Sequence, residues 1–194
     1  EAPQEYDVKG EFSNLGVQAL GKLPGFANVS GELQADAKGG SLKLSGKQAQ
    51  LDMPLVFRQA LQFDAMDVAA NWRIKNRRLL LNIDEMNFAN THMQGNVSGS
   101  YEIVPDRPDG LGIADITGRL TRAEAAAAHL YMPRAAGEKT YEWLQSALVQ
   151  GTSDDVRIRL KGRRAQFPFA DDRDGVFQVT AKVQDGILQY VPEW

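Results

Sequence analysis

The 194-residue sequence predicts a mainly β fold of the α+β kind: an antiparallel meander interrupted by a two-part helical insertion. Two observations carry this. Apolar and polar residues alternate with a period of two over most of the chain, and glycine- and aspartate-rich turn signals separate the alternating runs. A third observation marks the exception, a stretch near residue 130 where the period lengthens to that of a helix.

The alternation is clearest near the C-terminus. In DVRIRLKG, Val156, Ile158 and Leu160 share one side and Arg157, Arg159 and Lys161 the other. VFQVTAKVQ sets Phe177, Val179, Ala181 and Val183 against polar neighbours. The same pattern runs through Val29, Leu33, Ala35 and Ala37, through Leu42 and Leu44, and through Val68, Ala70, Trp72 and Ile74. It continues in Leu79, Leu81 and Ile83 and in Met93, Val97, Tyr101 and Ile103. Strands of this type have one apolar and one wet face, as antiparallel sheets do. Gly39-Gly40 and Asp185-Gly186 read as hairpin turns, with further turns at Asp174-Gly175 and in PDRPDG, residues 105–110. About ten strands result.

The helical insertion is expected over 121–151. Thr121 and Glu124 form a capping-box pattern ahead of four alanines, Pro133 interrupts, and EKTYEWLQSALVQG resumes with Gly151 as its stop. Trp143, Leu144 and Leu148 are expected to be buried against the sheet, since such a helix is stabilised mainly by packing. Asp154-Asp155 then read as a helix-to-strand turn. The expected layout is one domain over 1–194, with a β-meander at 1–120 and C-terminal strands at 152–194.

Two helices, each about 10 Å wide, shield only about four strands spaced about 4.8 Å apart. The sheet therefore either closes on itself as a sandwich or barrel, or curls into a trough whose apolar floor meets something else.

Composition excludes several function classes. The net charge of −3 argues against general nucleic-acid binding. With no cysteine, thiolate metal sites and thiol catalysis are ruled out. His92 and His129 lack ligand-spaced partners, and neither a phosphate loop nor a nucleophile elbow is present. No cofactor, metal site or catalytic set is expected. ADDRDGVF reads as a turn rather than a calcium loop, which would need acids at Ala170 and Ala181. Arg157, Arg159, Lys161, Arg163 and Arg164 read first as a solvated outer face and second as an attraction for anionic lipid head groups. Phe167-Pro168-Phe169 fits a bent edge that turns both rings to the apolar side. No run reaches the roughly 18 apolar residues of a membrane helix. The start at Glu1 and the end at VPEW suggest a piece of a longer protein.

Four segments, in order, carry a resemblance. They are LPGFANVSGEL (23–33), LYMPRAAGEKTYEWLQSALVQG (130–151), LKGRRAQFPFADDRDGVFQV (160–179) and YVPEW (190–194). Together they resemble the YhdP family, of the AsmA-like superfamily of Gram-negative envelope proteins. The resemblance implies a periplasmic, bridge-like lipid transfer protein anchored in the inner membrane, with a taco-like, repeating β-groove that conducts phospholipids towards the outer membrane. It therefore favours the trough. Its implied partners are phospholipids, both membranes through the full-length protein, and neighbouring groove segments of the same chain, and it brings no catalytic residues. The residues expected to line the groove are Leu42, Leu44, Trp72, Ile74, Leu79, Leu81, Val97, Tyr101, Val156, Ile158, Leu160, Phe167, Phe169, Phe177, Val179 and Val183. The alternative is a scaffolding envelope β-domain, closed on itself, that binds protein partners.

Overall fold

The computed structural model describes residues 5–21, 23–103, 112–169, 171 and 173–190. The period-2 runs become strands: β1 (Asp7–Val17), β2 (Gly25–Asp36), β3 (Gly39–Asp52), β4 (Leu61–Lys75), β5 (Arg78–Ala89), β6 (Met93–Ile103) and β7 (Ile113–Glu124). After the helical segment come β8 (Leu148–Ser153), β9 (Val156–Arg163), β10 (Gly175–Ala181) and β11 (Gln184–Leu188). All eleven belong to one sheet, and every pairing is antiparallel.

From β1 to β7 each strand pairs with its predecessor, and the order then forks. β9 pairs with β7 along 113–120 and β8 pairs with it at Ala123 and Glu124. β8 and β9 are thus two halves of one long strand, broken at Asp154-Asp155. β10 and β11 repeat the arrangement beside them, broken at Lys182-Val183, where the Lys182 N–H donates to the Asp155 carbonyl at 3.3 Å. Among the described residues β1 and the β10–β11 line are free edges, so the sheet is open, and the extensive strand-to-strand contacts are all between sheet neighbours. The closed sandwich or barrel is therefore not what this chain forms.

Several local expectations are corrected. Gly39 and Gly40 lie in β3, because the turn falls at Ala37-Lys38, where Asp36 Oδ1 accepts the N–H groups of Lys38 and Gly39. Asp185-Gly186 lies inside β11 rather than in a hairpin. Residues 105–110 lie outside the described residues. Asp154-Asp155 join strand to strand, since the helix has already ended.

The helical insertion is shorter and less regular than its propensities suggest. Thr121 and Glu124 are still in β7, where backbone pairing such as Ala123 with Met93 and with Ser153 uses the groups a helix would need. Non-local pairing overrides the alanines' preference. Ala125–Tyr131 and Arg134–Ala136 are 3-10 turns with no side-chain cap, and only Glu138–Ala147 is α-helical (α1). Gly151 sits in β8.

Burial is graded along the strands. The lower end of the sheet is the one bearing the 53–60, 90–92 and 125–147 connections, and its apolar side chains are covered. Phe63 is 3% exposed and Met66 1%, with Phe88, Leu120 and Val156 also buried. Phe57 from the 53–60 connection and Tyr131 pack onto this cluster. Asn90 pins the cover, donating to the Gln62 carbonyl and the Tyr131 hydroxyl (both 2.9 Å) while accepting from the His92 and Met93 N–H groups. Burial pushes the Tyr131 phenol above its ordinary pKa, opposed by the Asn90 hydrogen bond.

Arg58 ties the same loop to the helical segment. It pairs with Glu138 at 3.0 Å and lies over the Tyr141 ring, 4.2 Å from its centroid. Ala147 is fully buried and Leu144 and Leu148 are half-buried, but Trp143 is 42% exposed. The expectation of a buried Trp143 is wrong because α1 packs mainly on the 3-10 turns and β8, with Arg58 reaching it from the 53–60 connection, and does not lie across the sheet.

Candidate functional site

Register turns the one-dimensional alternation into a surface. Directly opposed residues in an antiparallel sheet project to the same face. Phe12, Gly31, Leu44, Val68, Met86, Val97, Gly118, Ile158 and Val179 are successive cross-strand partners and form one row across nine strands. Two residues higher runs a second row: Gly10, Leu33, Leu42, Ala70, Ile83, Gly99, Ile116, Leu160 and Phe177. A third holds Val8, Ala35, Gly40, Trp72, Leu81, Tyr101, Ala114, Gly162 and Gly175. None of the three carries a charged side chain.

The intervening rows project the other way and are polar, for example Lys9, Gln34, Ser41, Asn71, Asn82, Ser100, Asp115 and Lys161. Eight inter-strand steps of about 4.8 Å give each apolar row a length of about 38 Å. From Met66 to Ile74 the apolar band spans nine residues, eight steps along β4, or about 27 Å.

Most of the sixteen expected groove residues share this face. Leu44, Val97, Ile158 and Val179 lie in the first row, Leu42, Leu160 and Phe177 in the second, and Trp72, Leu81 and Tyr101 in the third. Ile74 and Leu79 are partners one step above, and Val156 pairs with Leu120 one step below. Phe167 and Phe169 arrive from the 164–174 connection, across a cis Phe167-Pro168 bond. The Phe167 ring meets Phe177 at 5.1 Å and Phe169 at 5.6 Å, and Phe169 covers the space above Gly162, where a Cβ would come within 2.7 Å of its ring. The aromatic pair therefore caps the end of the apolar face. Val183 is the exception: it lies in the break between β10 and β11, against Gly151 and off the strand rows.

Sequence reasoning missed Met86 and Phe88. The alternation of Leu79, Leu81 and Ile83 slips at Asp84, where the register shifts against β4 and β6. A three-residue gap between apolar positions is the sequence mark of a bulge. Asp84 stays on the wet side, accepting from Asn71 and Asn82 at 2.9 Å. Gly40 makes room for an aromatic, because a Cβ there would collide with the Trp72 ring that lies over it.

The face is open where the lower-end cover stops. Ile74 is 43% exposed, Phe177 36% and Val179 54%, and two open surface depressions lie instead on the polar side of β1–β5. The basic stripe of β9 is on that polar side and largely neutralised. Asp115 holds Arg159 at 2.6 Å and Lys161 at 3.8 Å, and Asp155 lies 3.3 to 3.9 Å from Arg157, Arg119 and Lys182. Arg159 holds the Asp115 carboxyl below its ordinary pKa, and Arg157 does the same for Asp155. The solvated-face reading of the stripe is the one this geometry supports. In the acidic turn, Asp171 pairs with Arg173 and Asp174 accepts from Gln166. His92 contacts the Tyr131 hydroxyl at 3.1 Å, and the His129 ring packs on Tyr141.

These features define an open, all-antiparallel β-sheet protein with one continuous apolar face, covered at one end and bare at the other. The YhdP protein family model matches residues 1–194, and the chain belongs to that family. It is 22% identical over all 194 residues to the intermembrane phospholipid transporter YhdP of Escherichia coli (strain K12), and spans 15% of that protein's length. No solved structure matches it.

Proposed function

We propose that this chain forms one segment of a periplasmic path along which phospholipids pass between the inner and outer membranes. The observation that carries the reading is the set of three uncharged rows running unbroken across nine strands with their upper part uncovered. The family membership and the named activity of the Escherichia coli relative support it. In the longer protein, the free edges at β1 and at β10–β11 are where neighbouring groove segments of the same chain would continue the sheet.

Free movement of a lipid through water is opposed by about 0.8 kcal/mol per exposed methylene. The rows supply positions of nearly equal energy about 4.8 Å apart, so an acyl chain moves from strand to strand without leaving an apolar surface. The 27 Å band exceeds the roughly 15 Å depth of one leaflet's hydrocarbon, half of a bilayer core of about 30 Å. Acyl chains lying along the strands therefore fit within it. Such a surface carries lipid without chemical change, and carriage of this kind calls for no cofactor.

The test is site-specific photocrosslinking to lipid at each position from Val156 to Lys161. Crosslinks at Ile158 and Leu160 with none at Arg157, Arg159 or Lys161 would reproduce the period of the apolar face. Uniform labelling, or none, would contradict the reading. Capture of a protein at the apolar positions would favour a scaffold whose face docks a protein partner.

A further inference from the structure

We infer that the 53–60 loop is a gate across the mouth of the groove, hinged on the helical segment and latched to the opposite end of the sheet by Arg164, and that a diacyl phospholipid passes from β4 to β9 when the latch opens. This rests on the lipid-path reading and adds a moving part to it. The two sides of the gate are held unequally. At the lower end the Arg134 N–H donates to the Val56 carbonyl at 2.8 Å and Arg134 Nε to the Phe57 carbonyl at 3.0 Å, while Arg58 pairs with Glu138 and lies over Tyr141. At the upper end Arg164 is fixed beside β7, its N–H donating to the Gly112 carbonyl at 3.0 Å, and its side chain reaches the Leu55 carbonyl at 3.2 Å. Among the described residues, that is the one side-chain hydrogen bond between the loop and the upper end of the sheet.

The bridge lies on the apolar side of the sheet. Phe57, from the loop, packs on the buried cluster, and Phe167, just after Arg164, packs on Phe177 of the second row. The link joins the lower end of β3 and β4 to the upper end of β9, so it spans the mouth of the groove. Beneath it the second row is not sealed, for Leu42, Ala70, Ile83, Ile116 and Leu160 are only half-buried. To either side the face is bare, with Val8 of β1 and Val179 of β10 both exposed.

A phospholipid keeps its acyl chains on the face and its charged head group in water, so it straddles the mouth wherever it lies. The bridge stands between that head group and the next strand. Either the head group is drawn beneath the bridge, stripped of water among apolar side chains, or the latch releases and the loop swings on its hinge. Release costs one exposed hydrogen bond, far less than burying an unpaired charge, so the loop moves. Hydrocarbon without a head group meets no such obstacle, because the rows run on beneath the bridge.

The experiment locks the gate. The chain has no cysteine, so Leu55→Cys with Arg164→Cys supplies the two thiols for a bis-methanethiosulfonate linker as long as the arginine side chain it replaces. A reductant frees them again, and circular dichroism checks the fold in both states. The purified 194-residue chain is offered phosphatidylethanolamine with a diazirine in one acyl chain, or a diazirine-bearing alkane, and labelled peptides are mapped by mass spectrometry. Freed, the chain should be labelled by the phospholipid on β5–β7 as well as on β1 and β10. Linked, it should lose the β5–β7 labelling by about tenfold, keep that on β1 and β10 and recover on reduction, while the alkane labels β5–β7 in both states. Phospholipid labelling of β5–β7 that the linker leaves unchanged overturns the gate. Equal loss of phospholipid and alkane also overturns it, since the linker then shuts the face itself. A freed chain that the phospholipid labels nowhere on the apolar face overturns the lipid path instead.

Discussion

Arg164 Nη2 donates to the carbonyl of Leu55 at 3.2 Å, joining residues 109 apart in sequence. Arg164 follows the upper end of β9, and Leu55 belongs to the connection below β3. Five inter-strand steps separate β3 from β9, about 24 Å in a flat sheet before the length of the strands is added. The contact thus requires the sheet to coil. The 53–60 loop lies on the inside of that coil, since its Phe57 packs on the apolar cluster. The loop acts as a strap, tied on one side through Arg58 and Arg134 to the helical segment and on the other to Arg164.

The strap should loosen when that far tie is cut. Arg164→Ala removes an exposed, charge-assisted hydrogen bond worth about 0.5–1 kcal/mol. Amide exchange at Val56 and Phe57 should then speed up about threefold to fivefold with global stability little changed. Unchanged exchange would show that Arg58 and Arg134 hold the strap alone.

Core and helix should respond differently to loss of an aromatic. Phe63 is 3% exposed and packs on Phe88 with ring centroids 5.6 Å apart, so Phe63→Ala should cost about 3–5 kcal/mol. Trp143, at 42% exposed, should cost about 1–2 kcal/mol when replaced by alanine. Denaturant midpoints of the two variants decide this, and equal losses would place Trp143 in a packed interface.

That contrast shows what the residues alone disclose. The faces of β9 and β4 were legible because Val156-Ile158-Leu160 and Val68-Ala70-Trp72-Ile74 alternate without a slip. The three rows were not, because register is non-local: nothing near Gly40 announces that Trp72 lies over it. Thr121-Glu124 and Gly39-Gly40 misled for the same reason. Their local preference is real, but pairing with distant strands satisfies the backbone better. The phase slip at Asp84 was readable, as a bulge that re-aims Met86.

Acid should weaken the outer face at the turn between the two halves of the β8–β9 strand. Asp155, its side chain 18% exposed, is held below the ordinary value of 3.8 first by its hydrogen bond from Arg157, with Arg119 and Lys182 adding charge. The folded state thus binds its proton less readily than the unfolded chain. The resulting stability is present above the ordinary value and is lost as pH falls through the lowered one. Asp155→Asn should therefore lower the unfolding temperature at pH 7, with the gap to wild type closing at acid pH and in high salt. A gap independent of pH would assign the effect to hydrogen bonding rather than charge.

The decisive substitution for the lipid path is Val179→Asp. Val179 ends the first apolar row, beside Ile158, on the bare part of the face and 54% exposed. A carboxylate there reaches water without leaving its strand, so the fold should survive with a loss of about 1 kcal/mol or less, as at other exposed sites. For an acyl chain the same carboxylate is an obstacle, since hydrocarbon pressed against an unpaired charge strips it of water at a cost of several kcal/mol. Ile158→Glu is the companion: Ile158 packs against the buried cluster, so it should lose both lipid and stability. Unfolding temperature and bound lipid are measured on the same preparations. Val179→Asp that remains folded but is depleted of phospholipid identifies the row as the path. Val179→Asp with wild-type lipid content means that acyl chains do not pass over β10, and the path would have to leave the face before that strand.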